Sequence, residues 1–277
     1  MTPVKDSKKG ELIQLRVEKT FLDQLNAIAE EQHLPLSVML RAWLAERLSA
    51  EEKRLNKSRV EWQNTRFNEI QRSKDVFEPG PMLVAHAYSK LDQSKISLEK
   101  IEHNIHSLAP AFYRTPLNSR INQFGLEVDR AFKDGKIAVK GQAFKSGQLE
   151  VVITIPSEDE QIFGRPLDRA IVETTQSLCN FLRSQQIELP YVVNFSLLNA
   201  KGFALVGSKV MASSTPLPRF PDDKIQLSEI LITNHDQFAA EANTGEFIIS
   251  VLDEMWNATG QKYSISFDND KHWINKV

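Results

Sequence analysis

The chain holds one cysteine, Cys179, which excludes an internal disulfide and a zinc site built on several thiolates. Its setting, Ser177-Leu178-Cys179-Asn180-Phe181-Leu182, is that of a buried structural thiol rather than a nucleophile. No apolar run approaches the roughly 18 residues needed to cross a bilayer, so no membrane partner is expected. The amino end, MTPVKDSKKGELIQLRV, has basic residues but neither an apolar core nor a small-residue cleavage site. No secretory signal is read there, and the expected compartment is the cytoplasm. A strong charge of either sign is also missing, with 34 Lys and Arg against 36 Asp and Glu. Contact with nucleic acid must therefore come from a local patch and not from a polycationic surface. There is no Walker loop, no Gly-x-Gly-x-x-Gly turn after a strand and no Gly-x-Ser-x-Gly elbow. Hence no cofactor is implied and no catalytic residue is assigned.

What is present starts with length: 277 residues exceed one ordinary domain of roughly 100 to 200, so two folded units are expected. Residues 1–9 are polar and read as a flexible basic arm carrying Lys5, Lys8 and Lys9. Residues 1–75 have 14 Lys and Arg against 12 Asp and Glu, a net of +2, and the remainder a net of −4. From Leu12 to Val17 the period of two puts Ile13, Leu15 and Val17 on one face and Leu12, Gln14 and Arg16 on the other, a strand pattern. A helix follows from Lys19 to about Gln32, with Phe21, Leu22, Leu25, Ile28 and Ala29 at spacings of three and four. His33-Leu34-Pro35 breaks it, and a second helix runs from Leu36 to Leu48. Residues 49–80 are read as a charged helical connector closed by Phe77-Glu78-Pro79-Gly80-Pro81, and residues 81–277 as a separate α+β domain.

A single strand cannot read a groove as a ribbon, because its edge is unpaired and its apolar face uncovered. Two copies remove both difficulties. Paired antiparallel in a homodimer, or a higher even oligomer, the strands pack Ile13, Leu15 and Val17 onto four helices and raise Leu12, Gln14 and Arg16 from the other face. A two-stranded ribbon fits the major groove of duplex DNA, where Gln addresses adenine and Arg guanine. Residues 11–48, ELIQLRVEKTFLDQLNAIAEEQHLPLSVMLRAWLAERL, resemble the ribbon-helix-helix repressors and antitoxins. The resemblance implies that Leu12, Gln14 and Arg16 contact bases and that the amides of Leu36 and Ser37, at a helix start suited to anions, anchor a phosphate. Leu12 departs from the polar reader usual there, leaving a thymine methyl as its counterpart or no base at all. Lys8 and Lys9 are candidate phosphate contacts of the arm. The alternatives to DNA contact for residues 12–48 are a dimerisation unit alone, or an incidental strand and helical hairpin.

In the second domain Met82–Tyr88, Leu126–Phe132, Ile137–Phe144, Leu149–Ile155, Tyr191–Leu198, Phe203–Val206, Glu229–Thr233 and Tyr263–Phe267 read as strands. Ser97–Leu108, Pro166–Gln186 and Phe247–Trp256 read as helices. Asp134-Gly135 and Ser146-Gly147 are hairpin turns and predict an antiparallel meander. RFNEIQ, GPMLVAHAYS, FKSGQLEVV, ELPYVVNFSLLNAKG and DEMWNATG resemble the C-terminal region of bacterial Schlafen-type AlbA-like DNA-binding proteins. The AlbA-like domain itself has no counterpart here, so the resemblance carries no nuclease or nucleotide-binding activity. His103 and His106, three apart with Glu102 beside them, lack a third metal ligand at a diagnostic spacing, and no metal site is assigned. His86, within an apolar run, fits a core histidine with a satisfied hydrogen bond, while Glu150 and Asp129 are candidates to converge as paired carboxylates, although Glu150 is followed by Val151-Val152 and not by the spaced lysine of restriction-type nucleases. The whole points to a dimeric, sequence-specific DNA-binding regulator whose C-terminal domain senses a ligand or holds a protein partner. The alternative is an antitoxin or defence-system accessory whose C-terminal domain binds a toxin or effector.

Overall fold

The computed structural model describes residues 16–90, 95–97, 105–110, 117–132, 134–207, 217–238, 244–268 and 273–274. Two compact units divide the chain between Asn68 and Glu69. In the first, α1 (Lys19–Glu31) and α2 (Leu36–Arg72) are joined by a tight reversal. His33 takes a left-handed φ of 55°, and the amides of His33 and Leu34 turn back to the carbonyls of Glu30 and Ala29, each at 3.0 Å. These bonds satisfy carbonyls that the end of a helix leaves open. Pro35 cannot extend α1, and its carbonyl receives the amides of Val38 and Met39 at 2.9 and 3.1 Å to start α2. No Pro or Gly interrupts residues 36–72, and α2 runs unbroken where the sequence suggested an end near Leu48 and a separate helical connector. The core of this unit is small: Leu25, Ala29 and Met39 are buried, with Ile28, Leu36 and Leu40 packed against them.

The second unit is mixed α+β. Its main sheet contains β1 (Met82–Ser89), β2 (Asn118–Asn122), β3 (Gly125–Ala131), β4 (Ile137–Phe144), β5 (Leu149–Thr154), β8 (Tyr191–Leu198), β10 (Lys224–Gln226) and β11 (Ile230–Ile232). The order is β10-β8-β1-β5-β4-β3-β2, with β11 also on β8, and every pairing is antiparallel. The expected meander is β3-β4-β5. Gly147 sits at φ 94° between β4 and β5, where the amide of Phe144 reaches the carbonyl of Gln148 at 2.9 Å, and Gly135 at φ 87° serves the turn between β3 and β4. Glycine supplies these left-handed positions without a steric penalty. A smaller sheet joins β6 (Ser157–Glu158), β7 (Gln161–Phe163) and β9 (Ala204–Val206), the last pair parallel.

Helix α3 (Gly164–Ser184) buries Leu167, Ile171, Leu178, Phe181 and Leu182, in one cluster with Leu83, Ala85 and Ala87 of β1 and Val193, Phe195 and Leu197 of β8. Residues two apart on a strand share a face, so α3 covers that face of the sheet. α4 (Thr244–Asn257) adds Leu252, Met255 and Trp256 to the same cluster. Of the expected helix Ser97–Leu108, Ser97 is non-helical and Ile105–Leu108 forms a 3-10 turn, while residues 98–104 lie outside the described residues. The expected strand Tyr263–Phe267 is not regular: it carries a single bridge, Phe267 to Trp273. β2, β6, β7 and β10 carry too short or too polar a pattern to announce themselves. Among the described residues no helix is long and apolar enough to cross a membrane.

Candidate functional site

Lys8, Lys9, Leu12, Ile13, Gln14 and Leu15 lie outside the described residues. Arg16 and Val17 follow as exposed, non-helical backbone leading into α1. Leu36 and Ser37 open α2, where the first amides of a helix have no carbonyl one turn earlier to bond. Ser37 is exposed and Leu36 half-buried. The apolar face of the unit is only partly used. Phe21 and Leu22 belong to the α1 stripe yet are 49% and 38% exposed, and on α2 Val38, Leu44 and Leu48 are 45%, 51% and 66% exposed. At 3.6 residues per turn the last three fall on one side of α2, away from Met39.

In the second unit the sheet register assembles a row of polar side chains. Arg120 on β2 opposes Glu127 on β3, which opposes Gln142 on β4, then Glu150 on β5, His86 on β1 and Asn194 on β8. Six neighbouring strands thus place a polar residue at one level of one sheet face. Glu127, Gln142, Glu150, His86 and Asn194 are all buried. His86 Nε2 stands 3.1 Å from Glu150 Oε2. The Glu127 carboxylate takes Lys140 Nζ at 3.1 Å and Asn122 Nδ2 at 3.2 Å, and it also pairs with the exposed Arg120. Asn122 Nδ2 also reaches Gln142 Oε1 at 2.9 Å, while Gln142 Nε2 donates to the carbonyl of Leu126 at 3.0 Å. Buried polar groups persist when hydrogen-bonded, and a one-residue slip of any strand would turn its member to the opposite face. The row therefore specifies register, and His86 is a partnered core histidine. Glu150 and Asp129 do not converge: Glu150 opposes His86 and Gln142, whereas Asp129 opposes Asn118 and Lys140 and accepts Asn118 Nδ2 at 3.0 Å.

A second buried cluster gathers around Asp168 on α3. Its carboxylate accepts Trp256 Nε1 at 3.1 Å to each oxygen, Ser264 Oγ at 2.6 Å and Ser266 Oγ at 2.7 Å. Burial pushes its pKa up to about 6, against the lowering effect of Ser264, Ser266 and Trp256, and Asp253 raises it further. Burial likewise pushes the Cys179 thiol well above its ordinary range, which removes the thiolate needed of a nucleophile. His103 lies outside the described residues, as does the side chain of His106. Among the described residues no three His, Cys, Asp or Glu side chains gather as a metal site. Sequence reasoning missed Glu127, Gln142 and the Asp168 cluster, whose members come from distant segments with no motif of their own. No protein-family model matches the chain, and no curated protein or solved structure matches it.

Proposed function

We propose that the chain is a dimeric DNA-binding regulator, in which residues 10–48 of two copies pair as a ribbon-helix-helix module and the α+β unit senses a ligand or holds a partner. The observation that supports the reading is the apolar surface that the helix pair leaves exposed. Leu25, Ala29 and Met39 make too small a core for an autonomous unit of this length, while Phe21, Leu22, Val38, Leu44 and Leu48 remain exposed in one chain. A second copy brings the same apolar set to cover it, as two-fold association requires. The alternating strand at residues 12–17 then gains an antiparallel partner, and Gln14 and Arg16 face the groove.

The test is sedimentation velocity of the full chain beside anisotropy titrations on duplex DNA. The wild type sediments at twice the mass of one chain and shifts duplex. Leu44→Asp with Leu48→Asp yields a monomer whose apparent affinity falls by about 100-fold, because two half-strength footholds replace one joined site. A wild-type chain that is monomeric at micromolar concentration and still binds duplex fully would overturn the ribbon reading.

A further inference from the structure

The α+β unit contains a cavity of about 360 Å³, near the lower end of small-molecule sites at roughly 300 to 1,000 Å³. Its apolar lining includes Phe77, Pro79, Met82 and Phe203, of which Phe77 and Met82 are buried. Phe77 is held by a bridge to Ile137, and the amide of Glu78 donates to the Ile137 carbonyl at 3.2 Å. Asn199 closes another side, accepting Gln71 Nε2 at 3.2 Å and donating to the Gly80 carbonyl at 3.4 Å. The walls are therefore fixed by backbone and amide contacts. Against this lining stand two half-buried groups of opposite charge, Glu78 and Lys136, with exposed Asp75 and Lys74 beside them. Lys136 Nζ donates to the backbone carbonyl of Asp75, and among the described residues neither Glu78 nor Lys136 takes part in an ion pair.

We propose that this cavity binds a free α-amino acid with an apolar side chain, its carboxylate on Lys136, its ammonium on Glu78 and its side chain on Phe77, Met82 and Phe203. Groups of both signs line the site, so a ligand with only one charge leaves the protein group of the other sign, Glu78 or Lys136, half-buried without a counter-charge from the ligand. A phosphate ester meets the carboxylates of Asp75 and Glu78, and a simple amine meets the ammonium groups of Lys74 and Lys136. A zwitterion satisfies both signs with charge-assisted hydrogen bonds. This deepens the sensing role proposed above and rests on it for its regulatory meaning.

Isothermal titration of the full chain, without DNA, with L-phenylalanine and L-leucine tests the site. Saturable binding is expected, with phenylacetate and phenethylamine weaker by about tenfold or more. Glu78→Gln and Lys136→Met each weaken the amino acids by about tenfold while Lys136→Arg retains most of the affinity, and thermal melts of the variants confirm that they fold. No heat with either amino acid, equal binding of a singly charged analogue, or an unchanged affinity in folded Glu78→Gln overturns the proposal. Duplex titrations run separately, so a chain that binds amino acid but no DNA overturns the regulator reading alone.

Discussion

Asp168 combines complete burial with three polar side chains from two later segments, Trp256 from α4 and Ser264 and Ser266 beyond it. Its pKa rises from the ordinary 3.8 to about 6, so the folded state favours the neutral acid. That contribution to stability is complete below pH 3.8 and is lost as pH rises through 6, a change of about 3 kcal/mol at most. Urea unfolding between pH 4.5 and 7.5 should show the wild type losing stability relative to Asp168→Asn across that window, and parallel curves would place the titration elsewhere. If residues 10–48 bind DNA as proposed, Gln14→Ala and Arg16→Ala should each cost about 1 to 3 kcal/mol on the specific duplex and leave folding intact. Leu15→Ala should instead lower dimer stability by about 2 to 5 kcal/mol and weaken DNA binding only as a consequence. Anisotropy on specific and scrambled duplexes, beside a melt of each variant, separates the two classes. If Arg16→Ala unfolds the protein and Leu15→Ala does not, the strand register is off by one.

Among the elements, α3 shows how one residue choice admits a neighbour. Gly164 and Asp168 lie one turn apart on the same side of α3, and the Trp256 indole lies across them, its Nε1 on Asp168 and its ring where a Cβ on residue 164 would stand. Gly164→Ala must push the indole off both, and a loss of about 2 to 4 kcal/mol is expected from overpacking and from the hydrogen bond to a buried carboxylate. A thermal melt of Gly164→Ala that coincides with that of the wild type would contradict this packing. The elements themselves were legible to differing degrees. β4 and β8 have the bounds their apolar runs predict, and the break at His33 to Pro35 is where the sequence places it. β2, with the polar stretch Asn118–Asn122, becomes a strand only because β3 offers it an edge.

Across the whole molecule, division of labour predicts that residues 69–277 fold without the rest and have no measurable affinity for duplex DNA, consistent with the net charge of −4 beyond residue 75. A fragment begun at Pro81 discards buried Ile70 and Phe77, together with the Gln71 contact to Asn199, and should melt lower. Circular dichroism and duplex titration of both fragments check this, and a shorter fragment that shifts DNA as well as the full chain would contradict it. The sequence by itself determined the local features: the turn at Ser146-Gly147, the reversal before α2 and the amphipathic stripe of α1. Each depends on backbone preferences and on neighbours within a few residues. The tertiary structure alone decided that Arg120, Glu127, Gln142, Glu150, His86 and Asn194 form one row, and that Asp168 meets side chains 88 to 98 residues away. It also decided that Glu78 and Lys136 flank one cavity. The physical reason is that strand order is set by the shared burial of whole faces, which local periodicity marks as apolar without naming the strand that will lie beside them.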